Sequence, residues 1–230
     1  MGLSPHLAFG YNIVSALKNL EVAGTVIIRS LPVGALETNC YVVGSPETKE
    51  GLVIDPAAEP DRILAEVKSL GLRIRYIIDT HGHLDHIGAN DAVRRATGAP
   101  LLLHAADAPF LARPDPMLSR WMGAPSRFDP PDRFVTDGEQ LALGPLTFVV
   151  LHTPGHTPGG ISLYGGGVVF SGDALFNQGV GRTDLPGGDW QQLLTSIKQK
   201  LFTLPDDTVV YPGHGPSTTI GAEKRGNPYV

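Results

Sequence analysis

Four side chains able to bind a divalent metal fall within six residues, His81, His83, Asp85 and His86, in the stretch Thr80-His81-Gly82-His83-Leu84-Asp85-His86. Neutral imidazoles and carboxylates are the ligands such an ion takes when no thiolate is at hand. A lone histidine in a polar loop would carry no such implication; four ligand-type side chains this close together do. His81 and His83 alternate with Gly82 and Leu84, so a chain leaving a strand can aim both rings into one cavity. Asp85 and His86 follow where a helix begins and can face a second metal beside the first.

Rigid elements must hold that loop, and the apolar pattern supplies them. Ile74, Tyr76, Ile77 and Ile78 mark a buried strand directly before it. Upstream, residues 25–31, 39–43 and 52–54 form short β-rich runs separated by turns, a meander that Asp55-Pro56 stops. Cys40, inside the second run, reads as a small buried apolar residue rather than a nucleophile. Pro60 near a start, apolar Ile63, Leu64, Val67 and Leu70, and Gly71 beyond the end describe an amphipathic helix. A further helix is expected from about Gly88 to Thr97, then a strand over 101–103 ending at His104. The Pro-rich stretch from Asp107 to Arg133 reads as a flap walling a pocket. Residues 146–151 run into His152-Thr153-Pro154-Gly155-His156, and a hairpin around Gly165-Gly166-Gly167 ends at Ser171-Gly172-Asp173. A helix capped by Asp189 carries Leu193, Leu194, Ile197 and Leu201, and needs no cofactor to explain Trp190. The last strand, 208–211, leads into Pro212-Gly213-His214. Ligand-type residues therefore recur at strand ends, where rigid backbone can aim them.

Composition narrows the class. The chain has 230 residues, 42% of them hydrophobic, enough to bury one large core. A net charge of −5 without a long basic run argues against a nucleic-acid partner. The single cysteine excludes an intrachain disulfide and a CxxC metal knuckle, and fits a reducing, cytoplasmic setting. No apolar run approaches the roughly 18 residues that a membrane span needs. Residues 1–24 stand apart as an N-terminal extension: a poor secretory signal, with Ile13, Leu17 and Leu20 spaced for a short amphipathic helix or else a frayed end. Residues 25–230 form the domain.

Taken in order, Thr80–His86, Thr153–His156, Ser171–Phe176 and Tyr211–His214 resemble the THxHxDH, TPGH, GDxLF and PGH motifs of the metallo-β-lactamase superfamily. Within it, the chain is similar to the glyoxalase II (hydroxyacylglutathione hydrolase) branch, in a short bacterial subtype that the stretch Gly181–Gly188 and the tail Glu223–Tyr229 also resemble. The resemblance implies an α/β fold, a four-layer αββα sandwich of two mixed β-sheets with helices on both outer faces. It also implies two divalent metal ions, zinc first, with iron or manganese as alternatives. His81, His83 and His156 would hold one ion, and Asp85, His86 and His214 the other, with Asp173 between them. Only the motif selects His156 over His152. His104 is then a packed residue.

The chemistry implied is hydrolysis of a thioester such as a hydroxyacylglutathione. Two ions sharing a water lower its pKa towards 7, and Asp85 and Asp173 are the candidate catalytic carboxylates. A thiol of pKa roughly 8.5 leaves without a strong general acid. Arg182 stands where longer relatives place a basic residue for glutathione, and is the candidate substrate-binding residue; a structural ion pair with Asp184 or Asp189 is the competing role. Those relatives carry a helical C-terminal domain, whereas this sequence ends at Val230, and Asp184 replaces their aromatic contact. The alternative activity is a mononuclear non-haem iron persulfide dioxygenase using His81, His156 and Asp173. A module with structural zinc is disfavoured, because seven ligands exceed the four of a closed site. The partner expected is a small-molecule thioester, without nucleic acid or membrane; a homo-oligomer is compatible with the sequence.

Overall fold

The computed structural model describes residues 26–230, so the helix expected before residue 24 lies outside them. β1 (Ile27–Val33), β2 (Thr38–Gly44) and β3 (Glu50–Ile54) run antiparallel, as the meander required. Helix α1 (Pro60–Ser69) then carries the chain back, and β4 (Arg73–Ile78) pairs parallel to β3. The one-turn helix α2 (Leu84–Ile87) and α3 (Asn90–Thr97) make the next crossover to β5 (Leu101–His104). Helices α4 (Ala108–Ala112) and α5 (Pro116–Met122) precede β6 (Arg133–Val135), which completes a six-stranded sheet in sequence order.

The second sheet has the order β14-β13-β10-β9-β8-β7. Its members β7 (Gln140–Leu143), β8 (Leu146–His152), β9 (Ile161–Gly165) and β10 (Val168–Gly172) are antiparallel neighbours. A small ribbon of β11 (Leu175–Phe176) and β12 (Gly179–Val180) follows, then helix α6 (Trp190–Ser196), whose last turn continues as a π-turn over Ile197–Leu201. β13 (Val209–Pro212) joins β10 in parallel, β14 (Thr218–Thr219) forms the edge, and α7 (Ile220–Gly226) closes the described chain.

Alternation along each strand sorts side chains into layers. In β2, Tyr41 and Val43 face the other sheet while Cys40 and Val42 face the helices. β10 does the same, with Phe170 between the sheets and Val169 under α6. The result is helices, sheet, sheet, helices: the αββα sandwich of two mixed sheets. Cys40 is wholly buried, and burial pushes its thiol well up, as befits a packing residue.

Three expectations shift. The Pro-rich stretch is partly helical, because Pro109 and Pro116 stand at helix starts rather than breaking helices, and Asp115 caps α5 by accepting from the Met117 and Leu118 N–H groups at 2.8 and 2.9 Å. The edge strands β6, β7 and β14 are short and polar on one side, which hid them from a search for apolar runs. The helix placed from Gly88 begins at Asn90, since Gly88 and Ala89 form the turn out of α2.

Phe170 sits at the centre of the inter-sheet layer, its ring 5.1 Å from that of Tyr41 and 5.4 Å from that of Tyr211. Phe170→Ala should lower unfolding stability by roughly 3–5 kcal/mol in urea titrations, the usual cost of a large core truncation. A loss below about 1 kcal/mol would show that the sheets do not depend on this contact.

Candidate metal centre

Each metal-ligand candidate hangs from a sheet edge. β4 runs through Asp79 and Thr80 into His81, and the Thr80 carbonyl accepts from the Ile161 N–H at 2.8 Å, which stitches the two sheets together at this edge. His83 is the N-cap of α2, so Asp85 and His86 ride on its single turn. His156 lies in the turn after β8, closed by a hydrogen bond from the Thr153 N–H to the Gly160 carbonyl at 2.8 Å. That turn lies against α6 so closely that a Cβ on Gly155, whose φ is +133°, would stand 2.2 Å from the Leu193 nitrogen. Asp173 follows β10, and His214 follows β13. The last two strand ends are locked together by the Gly213 N–H donating to the Gly172 carbonyl at 2.9 Å.

Three interlocking groups result: His81 with His83 and His156; Asp85 with His86 and His214; and His81 with His86 and Asp173. His83 Nδ1 and His156 Nε2 are 2.9 Å apart. Asp173 stands between the first two groups, with Oδ2 3.5 Å from His156 Nε2 and 3.8 Å from His214 Nε2, and Oδ1 3.4 Å from His86 Nε2. Asp85 Oδ2 is 3.2 Å from His214 Nε2. Ligands roughly 2.0–2.2 Å from a tetrahedral ion stand about 3.4 Å from one another, so these spacings are those of shared coordination spheres.

Protonation patterns agree with that reading. The outer nitrogens face acceptors: His156 Nδ1 donates to the Arg182 carbonyl at 2.7 Å, His214 Nδ1 to the Leu36 carbonyl at 3.1 Å, and His86 Nδ1 to Asp55 at 2.9 Å. His81 Nδ1 lies 3.2 Å from the Thr80 hydroxyl, whose own proton goes to Asp55. The Nε2 atoms of these four rings are therefore left to face inward. His81 Nε2, His86 Nε2 and Asp173 Oδ1 are buried without any hydrogen-bond partner, an arrangement that a native fold leaves only where something else satisfies it. The residues fit a metal: the cluster is able to bind one.

The electrostatics suit the same task. Burial, reinforced by His156, brings His83 down to about 4, and burial with its imidazole neighbours takes His81 well below its ordinary value. Both rings are thus neutral donors at neutral pH. Burial opposes charge on Asp85 and Asp173, yet His86 and the other facing imidazoles outweigh it and hold both carboxyls below the usual range. Against the same burial, Asp173, Asp55 and Asp85 raise His86, and Asp85 with Asp173 raises His214.

His152 and His104, both left out of the ligand set, stack on each other with centroids 4.2 Å apart. His152 Nε2 is held by the Pro158 carbonyl at 3.0 Å, a strand-end role. Arg182 is exposed and makes a bidentate pair with Asp184, two contacts of 2.7 Å, so the competing ion-pair role is the one this conformation displays. What its loop gives the cluster is the carbonyl on His156.

Four supporting residues escaped the sequence reading. Asp55 accepts from the Thr80 N–H at 2.6 Å and the Thr80 hydroxyl at 2.7 Å as well as from His86, so one carboxylate orients two ligands. Asp107 accepts from the Gly82 N–H, the Thr157 hydroxyl and the Gly159 N–H at 2.9, 2.7 and 2.6 Å, tying the two histidine-bearing loops together. Asn39 Nδ2 and Tyr41 OH hold the Pro212 carbonyl at 3.0 and 2.6 Å, which fixes the His214 turn. A polar Asn inside an apolar strand, and an Asp in each of two strand-to-helix connections, were the available signals.

Residues 33–214 match the family model described as the metallo-beta-lactamase superfamily. The hydroxyacylglutathione hydrolase GloC of Haemophilus influenzae is 39% identical over 207 residues, covering 88% of this chain and 97% of the relative. Among solved structures, the BLEG-1 B3 metallo-beta-lactamase is 42% identical with a TM-score of 0.81, over 88% of this chain and 99% of its own. TTHA1623, in a di-iron-bound form, is 41% identical with a TM-score of 0.79, over 88% of this chain and 100% of its own.

Asp55→Asn keeps the shape but removes one acceptor oxygen. Metal affinity should fall roughly ten- to a hundredfold, as when other outer partners of ligating histidines are removed, while the circular dichroism spectrum is retained. An unchanged dissociation constant in metal titrations would refute the orienting role of Asp55.

Proposed function

The chain belongs to the metallo-beta-lactamase superfamily, and from that premise we propose that it is a hydrolase holding two divalent ions and cleaving a thioester such as a hydroxyacylglutathione. One observation carries the reading: Asp85, His86 and His214 assemble a second complete ligand group beside His81, His83 and His156, with Asp173 touching both. A mononuclear iron persulfide dioxygenase would use His81, His156 and Asp173, a subset of the same groups, and ETHE1 of Myxococcus xanthus, 38% identical with a TM-score of 0.75, is the structural relative that favours that second reading. The di-iron form of a close structural relative supports two ions, and the glutathione-thioester hydrolase among the relatives supports the substrate class.

Two divalent ions would supply Lewis acidity to the substrate carbonyl and a water acidic enough to ionise near neutral pH. The chain's own part is positioning. His81 and His83 are neutral, Asp85 and Asp173 ionised, and contacts to Arg182, Leu36, Asp55 and Thr80 hold the outer nitrogens of four imidazoles before substrate arrives; preorganised donors cost no rearrangement at the moment of reaction. No serine or cysteine nucleophile is needed, and Cys40 is buried away in the helix-facing core. The departing thiolate, with a pKa of roughly 8.5 for a cysteine-type thiol, needs no protein acid.

Three outcomes follow from this assignment. Asp173→Ala should lose both metal content and turnover; full occupancy with undiminished activity in that variant would overturn the bridging position. Thioester cleavage should run equally fast under nitrogen, whereas strict dependence on O₂ with one iron per chain would establish the dioxygenase instead. Arg182 is proposed to exchange Asp184 for a carboxylate of the substrate, far from the reacting carbonyl. Arg182→Ala should then raise KM several-fold and leave kcat and metal content alone. If KM is preserved and only the melting temperature moves, Arg182 serves Asp184 and not the substrate.

A further inference from the structure

Two cavities open beside the second ligand group, and they differ in size. One holds about 100 Å³ and is walled by small apolar groups: Val33 from the end of β1, Ala58 before α1, Ala89 after α2, and Met122 with Ala124 from the flap, with Asp85 at its edge. The other holds about 380 Å³ and has a mixed lining, Pro32 and Leu36 beside Ser30, Asn39 and Tyr211, with His214 among them. Leu36 lines both, and its carbonyl is the group that His214 Nδ1 grips at 3.1 Å. The loop between β1 and β2 thus stands between the two cavities while helping to aim a ligand. Glu59, on the rim of the small cavity, is already engaged by the Gly34 N–H at 2.9 Å and by Arg62 at 3.2 Å, so it does not offer a free charge to a guest.

We propose that the small cavity is the acyl subsite, and that Met122 and Ala124 set the length of acyl chain the enzyme accepts. The proposal rests on the thioester reading above and deepens it. A thioester presents two unequal arms to a carbonyl held among the ligands. A peptide-sized thiol carrier does not enter the smaller cavity, whereas the larger one on the His214 side has the room, and in Ser30, Asn39 and Tyr211 some hydrogen-bonding groups, for one. That leaves the short apolar arm for the Asp85 side. The cavity is the smaller of the two by nearly fourfold, so it suits a short acyl chain, and a long one must displace the flap. The flap is the adjustable wall: Met122 is a flexible side chain at the end of α5, and the Ala124 methyl lies opposite Gly88 at the exit of α2.

The test is a length series of S-acylglutathiones, acetyl, lactoyl, butyryl and octanoyl, with metal-loaded wild-type protein and with Ala124→Leu and Met122→Ala. In wild type, kcat/KM should fall more than tenfold between butyryl and octanoyl. Ala124→Leu should lower the butyryl-to-acetyl ratio of kcat/KM, and Met122→Ala should raise the octanoyl-to-acetyl ratio, each by more than fivefold. Cleavage by wild type with the same length profile in both variants overturns the subsite and leaves the thioester reading standing. Failure of wild type to cleave any member, with both ions bound, overturns the thioester reading and the subsite together. Met122→Ala removes atoms from a partly exposed residue, so it remains informative if the larger Ala124→Leu side chain perturbs folding.

Discussion

Ligand atoms pressed to within 4 Å of one another without a proton to share repel, and burying them makes the repulsion worse. That constraint shapes this protein. Asp85 and His214, His86 and Asp173, and His83 and His156 approach to 3.2, 3.4 and 2.9 Å, distances that only a shared proton or a shared ion makes favourable. Nothing local to any one loop would hold them there. The two sheets do it, because four strand ends emerge at the same edge and the inter-sheet layer around Phe170 forbids sliding. Removing atoms from that layer therefore weakens the site through geometry, not through chemistry.

A second set of polar contacts converts strand ends into aimed ligands. Asp55, Asp107 and Asn39 each accept or donate between segments distant in sequence, bridging 25, 52 and 173 residues respectively. All three are buried, so each contact forms in a low-dielectric setting where a satisfied network is stiff and an unsatisfied one is costly. Asp55 is also one of the few non-glycine residues with positive φ, at 49°. An Asp tolerates that conformation better than a branched residue, and here the bend turns its carboxylate back under Thr80 and His86.

Much of this was legible beforehand, and the exceptions have physical causes. The Thr80–His86 cluster is visible because its four ligands are neighbours in the chain, and the β-rich runs at 39–43 and 52–54 with the glycine hairpin at 165–167 gave the strands. His156 is different. His152 sits at the end of the same strand, and spacing does not choose between them; only the motif did, and the structure shows why, since a stacked His104 and the Pro158 carbonyl occupy the His152 ring. Asp55 and Asp107 escaped because each owes its role to partners far along the sequence. Reading the Pro-rich stretch from Asp107 to Arg133 as a flap passed over α4 and α5, although proline at a helix start and an Asp cap are helix signals in their own right.

Charge balance bears on how many ions the site is built for. Asp85 and Asp173 are held ionised at a largely dry edge, where Asp55 accepts from N–H and O–H donors. In the absence of a metal, protons on His86 and His214 offset part of that charge, which is why both rings are raised against the pull of burial. His86 and His214 belong to one ligand group with Asp85, so a divalent ion held there would take the place of both protons at equal charge. An ion among His81, His83 and His156 would meet neutral rings and Asp173 alone, and would add charge to the site. On the proposed hydrolase, that added charge is what an anionic oxygen at the substrate carbonyl would require.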